Sequence, residues 1–292
     1  MKHFRPRLSR RAFWVLCALL VCLRLALTGF QQAYIWVGGA PLDDELMFRA
    51  ANHITAGQWL GAYDYLTLSK AMFFPVWLAL LHALHLPYLI SGAALWCGAA
   101  LLAAFAFSTL WRKKDPAQGR VLTLGLFAVL AFLPSSWAAY TLRVYRDNIF
   151  PALCLYFFAG MAGMALRAVF TPEKPLWPWL AAAGAGLACG YLDREDAGLF
   201  LLPFAAAATV IVAVALAGRR RWKALAAQVI PYVMLGVGVL TFCTLNYTHY
   251  GVFALSDFSE GSFAAAMGAM MRVDTDSTAP YLSVPADARE KI

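Results

Sequence analysis

Long apolar runs, broken by short polar or charged stretches, recur from one end of the chain to the other. A run of about 17 residues or more can cross the hydrocarbon layer of a bilayer as a helix. Seven stretches qualify: 12–30, 88–110, 120–139, 149–167, 176–192, 197–217 and 224–246. A further run, 71–86, is apolar but short and contains Pro75, His82 and His85. Periodicity alone leaves open whether it spans or lies in the interface. The stretch "LDDELMFRAANHI" differs again, because Leu46, Ala50 and Ile54 recur at helical spacing and predict an amphipathic helix lying on the membrane. Its Glu45 and Arg49, four residues apart, are expected to pair along the helix surface.

Charge placement decides the status of 71–86. If that run is interfacial, four basic segments ("MKHFRPRLSRR", "WRKKDPAQGR", "RAVFTPEKP" and "GRRRWK") fall on one side of the membrane. That side then carries 15 of the 24 Lys and Arg residues and only two of the 16 acids, Asp115 and Glu173. If 71–86 spans, the "WRKK" loop moves outside and "VYRDN" moves inside, against the tendency of basic loops to stay cytoplasmic. The expectation is therefore an all-α polytopic membrane protein with about seven transmembrane helices, and interfacial helices in the first outer loop. The amino terminus is cytoplasmic, and residues 31–87 lie outside. Residues 1–246 form the membrane module, and 247–292 begin an extracytoplasmic loop or tail. The first run reads as an uncleaved anchor, since it is long, contains Arg24 and has no clear cleavage site close behind it.

Composition agrees: 62% of residues are hydrophobic, 14% are charged, and mean hydropathy is +0.63, against about 25% charged in soluble domains. All six cysteines lie within the apolar runs, which argues against a disulfide framework. GxGxxG, Walker and CxxC motifs are absent, and no nucleic-acid partner is expected. "GAGLACG", Gly184 to Gly190, reads as a small-residue face for close helix packing. "NYT" at Asn246 fits the glycosylation triplet but abuts a span.

Ionisable groups then concentrate in three outer segments: "LDDEL", "RVYRDN" and "LDREDA". Each has an ordinary reading. Asp43 and Asp44 stand where a helix cap and a dipole-complementing acid would stand, Lys70 could be a snorkelling anchor, and Asp193, Arg194, Glu195 and Asp196 could form a solvated turn. Together they supply carboxylates and cations at one membrane face, the inventory for group transfer from a lipid-linked phosphate. A carboxylate takes the proton of an acceptor hydroxyl, and cations stabilise charge on a phosphate leaving group.

The order "DDE…GxW", a Lys before an apolar run, a span ending in "WRKK" and an Asp at the outer start of a span resembles the GT-C glycosyltransferases. Within them it is similar to the protein O-mannosyltransferases and the lipid A aminoarabinose transferases. The resemblance covers most of residues 1–246 and rests on order and spacing more than on its short motifs. It implies a bacterial inner-membrane enzyme that takes a sugar from a polyprenyl-phosphate donor and transfers it on the extracytoplasmic face, with a divalent cation as an open question. It also implies that Asp44 or Asp43 is the catalytic base, that Asp147 is the second acid, and that Lys70 faces the phosphate. Arg146 and Arg194 are the further candidates for donor contact. Between the two acids, the sequence favours Asp43 as cap and Asp44 as base. Two departures stand out: Pro75 follows Lys70 by five residues where a Lys-Pro pair is the pattern, and the chain stops soon after the seventh span, as a fragment or shortened version would. The other functions compatible with these residues are a transporter or flippase using Arg24 and the outer acids, and a noncatalytic truncated membrane protein.

Overall fold

The computed structural model describes residues 7–36, 38–39, 41–111, 115–171, 173–274 and 284–290. The basic side chains of 112–114 and the start of the chain, which entered the charge argument, lie outside the described residues, as does most of the tail beyond 274. Among the described residues the fold is helical, without a strand. The only extended pairing among them is a single bridge between Tyr34 and Arg143.

The long helices follow the apolar runs. Helix α1 (Arg10–Gly29) starts at Ser9, whose hydroxyl accepts the Ala12 amide at 3.1 Å. Two helices between the first and second long apolar helices follow, α2 (Pro41–Thr55) and α3 (Phe73–Ala83). Next come α4 (Tyr88–Phe107), α5 (Pro116–Ala131), the one-turn α6 (Ala139–Leu142), α7 (Phe150–Phe170), α8 (Trp177–Asp193) and α9 (Gly198–Ala217). A short α10 (Trp222–Ala226) leads through a 3₁₀ turn into α11 (Ile230–Tyr250). Gly251, at φ +71°, ends α11 in a left-handed cap that a side chain would strain. Three short helices close the chain: α12 (Asp257–Glu260), α13 (Ser262–Met270) and α14 (Ala286–Glu290).

Five of these segments are long and apolar enough to cross a membrane: Arg10–Gly29, Tyr88–Leu110, Phe150–Phe170, Gly198–Ala217 and Trp222–Tyr250. Exposed Leu199, Val210, Ile211 and Val214 on α9 give it an apolar outer face, as lipid-facing helices have. The other two expected spans are shorter. Helix α8 has 17 residues. Helix α5 has 16 and stops at Ala131, where the run 120–139 continues as a 3₁₀ turn starting at Pro134. At α-helical rise α3, with 11 residues, reaches roughly 16 Å, about half of the hydrocarbon thickness.

Helix α7 is the hub, packing on α4, α8 and α9, while α8 packs on α11 and α1 on α4 and α5. Phe157, Met161, Met164, Leu180, Leu187 and Leu201 fill the core between them. Helices α7 and α8 approach until their backbones nearly touch. A Cβ on Gly160 would stand 2.7 Å from the Trp179 carbonyl, and one on Gly186 would stand 2.6 Å from that of Leu153. The small-residue face read in "GAGLACG" is used as expected.

The two ends of the bundle differ in charge. At one end Arg7 pairs with Asp115 at 3.2 Å, Arg120 donates to the Leu8 carbonyl at 2.7 Å, and Arg219 donates to the Ala168 carbonyl at 2.6 Å. At the other end lie α2, α3 and the segments 141–148 and 193–197, with their acids. Helix α2 differs from expectation in what its stripe faces. Leu46 and Ala50 are buried against Leu68, Phe74, Val144 and Ile149, so protein covers the face expected to meet lipid. Arg49 also pairs with Asp64 at 2.7 Å instead of Glu45, because the following loop turns back over the helix and brings a second carboxylate closer.

Candidate active site

Segments 141–148 and 31–36 build the floor of the site. Tyr34 donates to the Leu142 carbonyl at 3.2 Å and accepts the Val144 amide at 2.9 Å, which fixes Arg143 beneath α2. Arg143 then grips Asp44: its Nε lies 2.9 Å from Oδ1 and its Nη2 also bonds that oxygen. The second Asp44 oxygen accepts the Trp36 amide at 2.6 Å. Asp44 is 1% exposed and Arg143 8%. The Arg143 guanidinium also packs on the ring of Tyr145, 4.3 Å from its centroid. This is a buried, bidentate ion pair whose members satisfy each other.

Asp43 has a different setting one residue earlier. Its side chain is about one-third exposed, its Oδ1 lies 3.6 Å from Lys70 Nζ, and its Oδ2 accepts the Tyr145 hydroxyl at 3.2 Å. The division expected from the sequence, Asp43 as cap and Asp44 facing the site, differs from this geometry. Asp44 holds loop and floor together, and Asp43 lies partly exposed beside Lys70.

Behind Asp43 the polar groups form a chain. Arg146 Nη2 donates to the Tyr145 hydroxyl at 2.9 Å, and its Nη1 donates to the Glu195 carboxylate at 2.9 and 3.0 Å and to the Asp193 carbonyl at 3.1 Å. Glu195 in turn accepts the Ala71 amide at 2.6 Å, fixing the backbone next to Lys70. Burial alone would raise the Glu195 carboxyl, but Arg146 and the Ala71 amide outweigh it and hold it below its usual value. The Tyr145 hydroxyl is pushed up to about 12, chiefly by burial, with the Asp43 carboxylate adding to it and Arg146 opposing. Tyr145 therefore stays protonated at neutral pH and donates to Asp43. Arg194 bridges Asp147 at 3.2 Å and Asp196 at 3.1 Å.

Asp43, Lys70, Arg146, Asp147 and Arg194 thus come to one end of the bundle, the first three joined through Tyr145 and Glu195. Tyr145 was not singled out in the sequence, and Glu195 only as part of a solvated turn. "VYRDN" and "DRED" contain them, but neither spacing shows that one would reach across to Asp43 and the other to Ala71. A cleft of about 630 Å³, within the range of small-molecule sites, is lined by Tyr63, Asp64, Tyr65, Ser69 and Asp257 among others, while Asp43 and Lys70 do not line it. Tyr63 and Asp257 bond to each other, and the Asp257 amide donates to the Leu68 carbonyl at 2.9 Å. Residues 252–258 therefore fold back onto the segment between α2 and α3. Asn246 of the "NYT" triplet is buried, accepting from the Trp59 indole at 2.8 Å and donating to the Ala254 carbonyl at 2.7 Å. Among the described residues, no three His, Cys, Asp or Glu side chains converge into a group able to hold a metal ion. No family model, curated protein or solved structure matches the chain.

Proposed function

We propose that the chain is a membrane glycosyltransferase of GT-C type, moving a sugar from a polyprenyl-phosphate donor to an acceptor on the extracytoplasmic face. In this reading α5 and α8 join the five longer helices as spans, which places the acid-rich end outside and the basic end in the cytoplasm. The observation that carries it is the partly exposed Asp43 carboxylate at 3.6 Å from Lys70 Nζ, with a sugar-sized cleft lined by Ser69, the residue before Lys70.

The chemistry assigns one task to each group. An acceptor hydroxyl attacks the anomeric carbon of the donor while its proton passes to the Asp43 carboxylate. The carbon–oxygen bond to the lipid phosphate breaks, and the bonding pair leaves with the phosphate oxygen. Lys70 is free to move from Asp43 to that oxygen, because an ion pair of two partly exposed groups at 3.6 Å is weak. Arg146 is a positioning residue: its guanidinium is already engaged by Glu195 and Tyr145 and holds the hydroxyl that orients Asp43. The Asp147–Arg194 pair lines the same face.

Transfer from a radiolabelled polyprenyl-phosphate sugar in membranes carrying the full chain tests the reading. Label should reach acceptor with the native chain and not with Asp43→Asn at equal folded protein. Equal transfer by the two would overturn it.

A further inference from the structure

A second polar site lies on the far side of the 141–148 segment from Asp44. Arg24 sits in α1 five residues before the helix ends, in an otherwise apolar span, and is 3% exposed. Its Nη2 donates to the Ser136 carbonyl at 2.7 Å, and its guanidinium stacks 3.4 Å over the Trp137 ring. These contacts hold the group in place but do not neutralise it, because none of the described residues brings a carboxylate to it. Its Nε and Nη1 are buried and have no hydrogen-bond partner.

Arg24 lines a cavity of about 50 Å³, with Thr28, Gly92 and Asn148 among the other lining residues. That volume is several times what one water molecule requires. Asn148 contributes a complementary group. Its Nδ2 donates to the Thr141 carbonyl at 2.8 Å, which can only accept, so the amide is oriented and Oδ1 is left buried without a donor. A buried, uncompensated guanidinium is costly unless an anion meets it. An apolar helix that keeps one at a fixed position, at the wall of a cavity, has a binding-site arrangement.

We propose that this cavity binds a phosphate group, with the Arg24 guanidinium donating to its oxygens and Asn148 Oδ1 accepting from a hydroxyl that the phosphate or its headgroup carries. The guanidinium fork matches tetrahedral oxyanions in geometry and charge. The cavity opens where α1 and α4 meet the loop before α7, at the acid-rich end of the bundle, so a lipid headgroup and a free phosphate ion are the two sources. The site is independent of the transferase reading, since it shares no side chain with Asp43 or Lys70.

The test uses the full chain in a neutral detergent, melted with added dioleoylphosphatidylglycerol, dioleoylphosphatidylcholine or sodium phosphate. Adducts with each lipid are counted by native mass spectrometry. A ligand that binds only the folded chain raises its melting temperature saturably. The expected result is such a rise with phosphatidylglycerol, weaker with phosphatidylcholine, and at least about tenfold weaker binding in Arg24→Met, the scale of a lost charged hydrogen bond. Arg24→Met should also melt no lower than the native chain without lipid, since it removes a charge without a counter-charge. A rise with sodium phosphate equal to that with lipid, again lost in Arg24→Met, assigns the site to the free ion. No rise with either probe, or one unchanged in Arg24→Met, overturns the proposal. Should Arg24→Met not fold, Gly92→Ala decides: its Cβ would collide with Asn148 Oδ1 and displace it while leaving the charge. A native-size rise in Gly92→Ala then overturns the site, and a lost one supports it.

Discussion

Successive helix residues point roughly 100° apart, and that rotation separates Asp43 from Asp44. One carboxylate turns into the floor, where Arg143 and the Trp36 amide take it up; the other stays partly exposed, where Lys70 and Tyr145 meet it. Removing one member of a buried pair costs about 3–5 kcal/mol. Asp44→Ala should therefore give markedly less folded chain and a lower melting temperature, read by size exclusion and thermal unfolding in detergent. Asp43→Asn should leave both unchanged and lower transfer by about 10²–10⁴, the scale of a lost general base. Lys70→Ala should cost about 1.5–3 kcal/mol in kcat/KM if the ammonium meets the phosphate, whereas unchanged turnover per folded protein would leave it as an anchor. Glu195 supplies a pH signature. Its folded value lies below the usual 4.5, so the stability it contributes is present above about pH 4.5 and is lost as pH falls through the lower folded value. The melting temperature should hold between pH 7 and 5 and fall in more acidic buffer, with a shallower fall in Glu195→Gln. The pair of acids was visible in "LDDEL" without any structure. Which one stays partly exposed was not, because it depends on Arg143, 99 residues away, and local sequence cannot show where that guanidinium lands.

At the scale of elements, the apolar runs located the long helices to within a few residues, since length and hydropathy depend only on local sequence. They failed where tertiary contacts decide. Helix α5 ends at Ala131, well short of the run expected to reach 139, because Pro134 has no N–H to give the Leu130 carbonyl, which accepts from the Trp96 indole, and the turn that starts at Pro134 gives its Ser136 carbonyl to Arg24. Arg49 turned from Glu45 to Asp64 for a similar reason. The glycine face of α8 was legible, and its partner was not. Gly186 faces the α7 backbone, with no room for a side chain. Gly186→Val should force the helices apart at a cost of about 1–3 kcal/mol, with side-chain strain in the α7–α8 core. Gly125, which has open space around its would-be Cβ, is the control, and Gly125→Ala should melt at or above the native temperature. Equal melting of the two variants would mean that the α7–α8 contact is looser than its geometry.

For the whole molecule, sidedness joins fold to function, because an extracytoplasmic site needs the acid-rich end outside. The charge pattern read from sequence and the folded arrangement agree on which segments share an end. Arg7 meets Asp115 and Arg219 meets Ala168 at one end, while α2, Tyr145 and Glu195 meet at the other. Which end faces the cytoplasm is a matter of charge: basic segments stay on the side of synthesis, and moving several Lys and Arg residues across a membrane is opposed. The 11-residue α3 is the hinge of the argument. It packs along α2 and is about half a bilayer long, and the proposed sidedness needs the residues on both its flanks at one face. Were it to cross, every later segment would change sides and "DRED" would face the cytoplasm with Arg146. Single cysteines at Ser69 and Pro87, in a cysteine-free chain, bracket it directly. Both should react with a membrane-impermeant maleimide in intact cells, and a cysteine at Arg220 should react only after the membrane is opened. A label at 69 with none at 87 would make α3 a span, reverse the sidedness of the basic loops, and remove Asp147 and Glu195 from the face that carries Lys70.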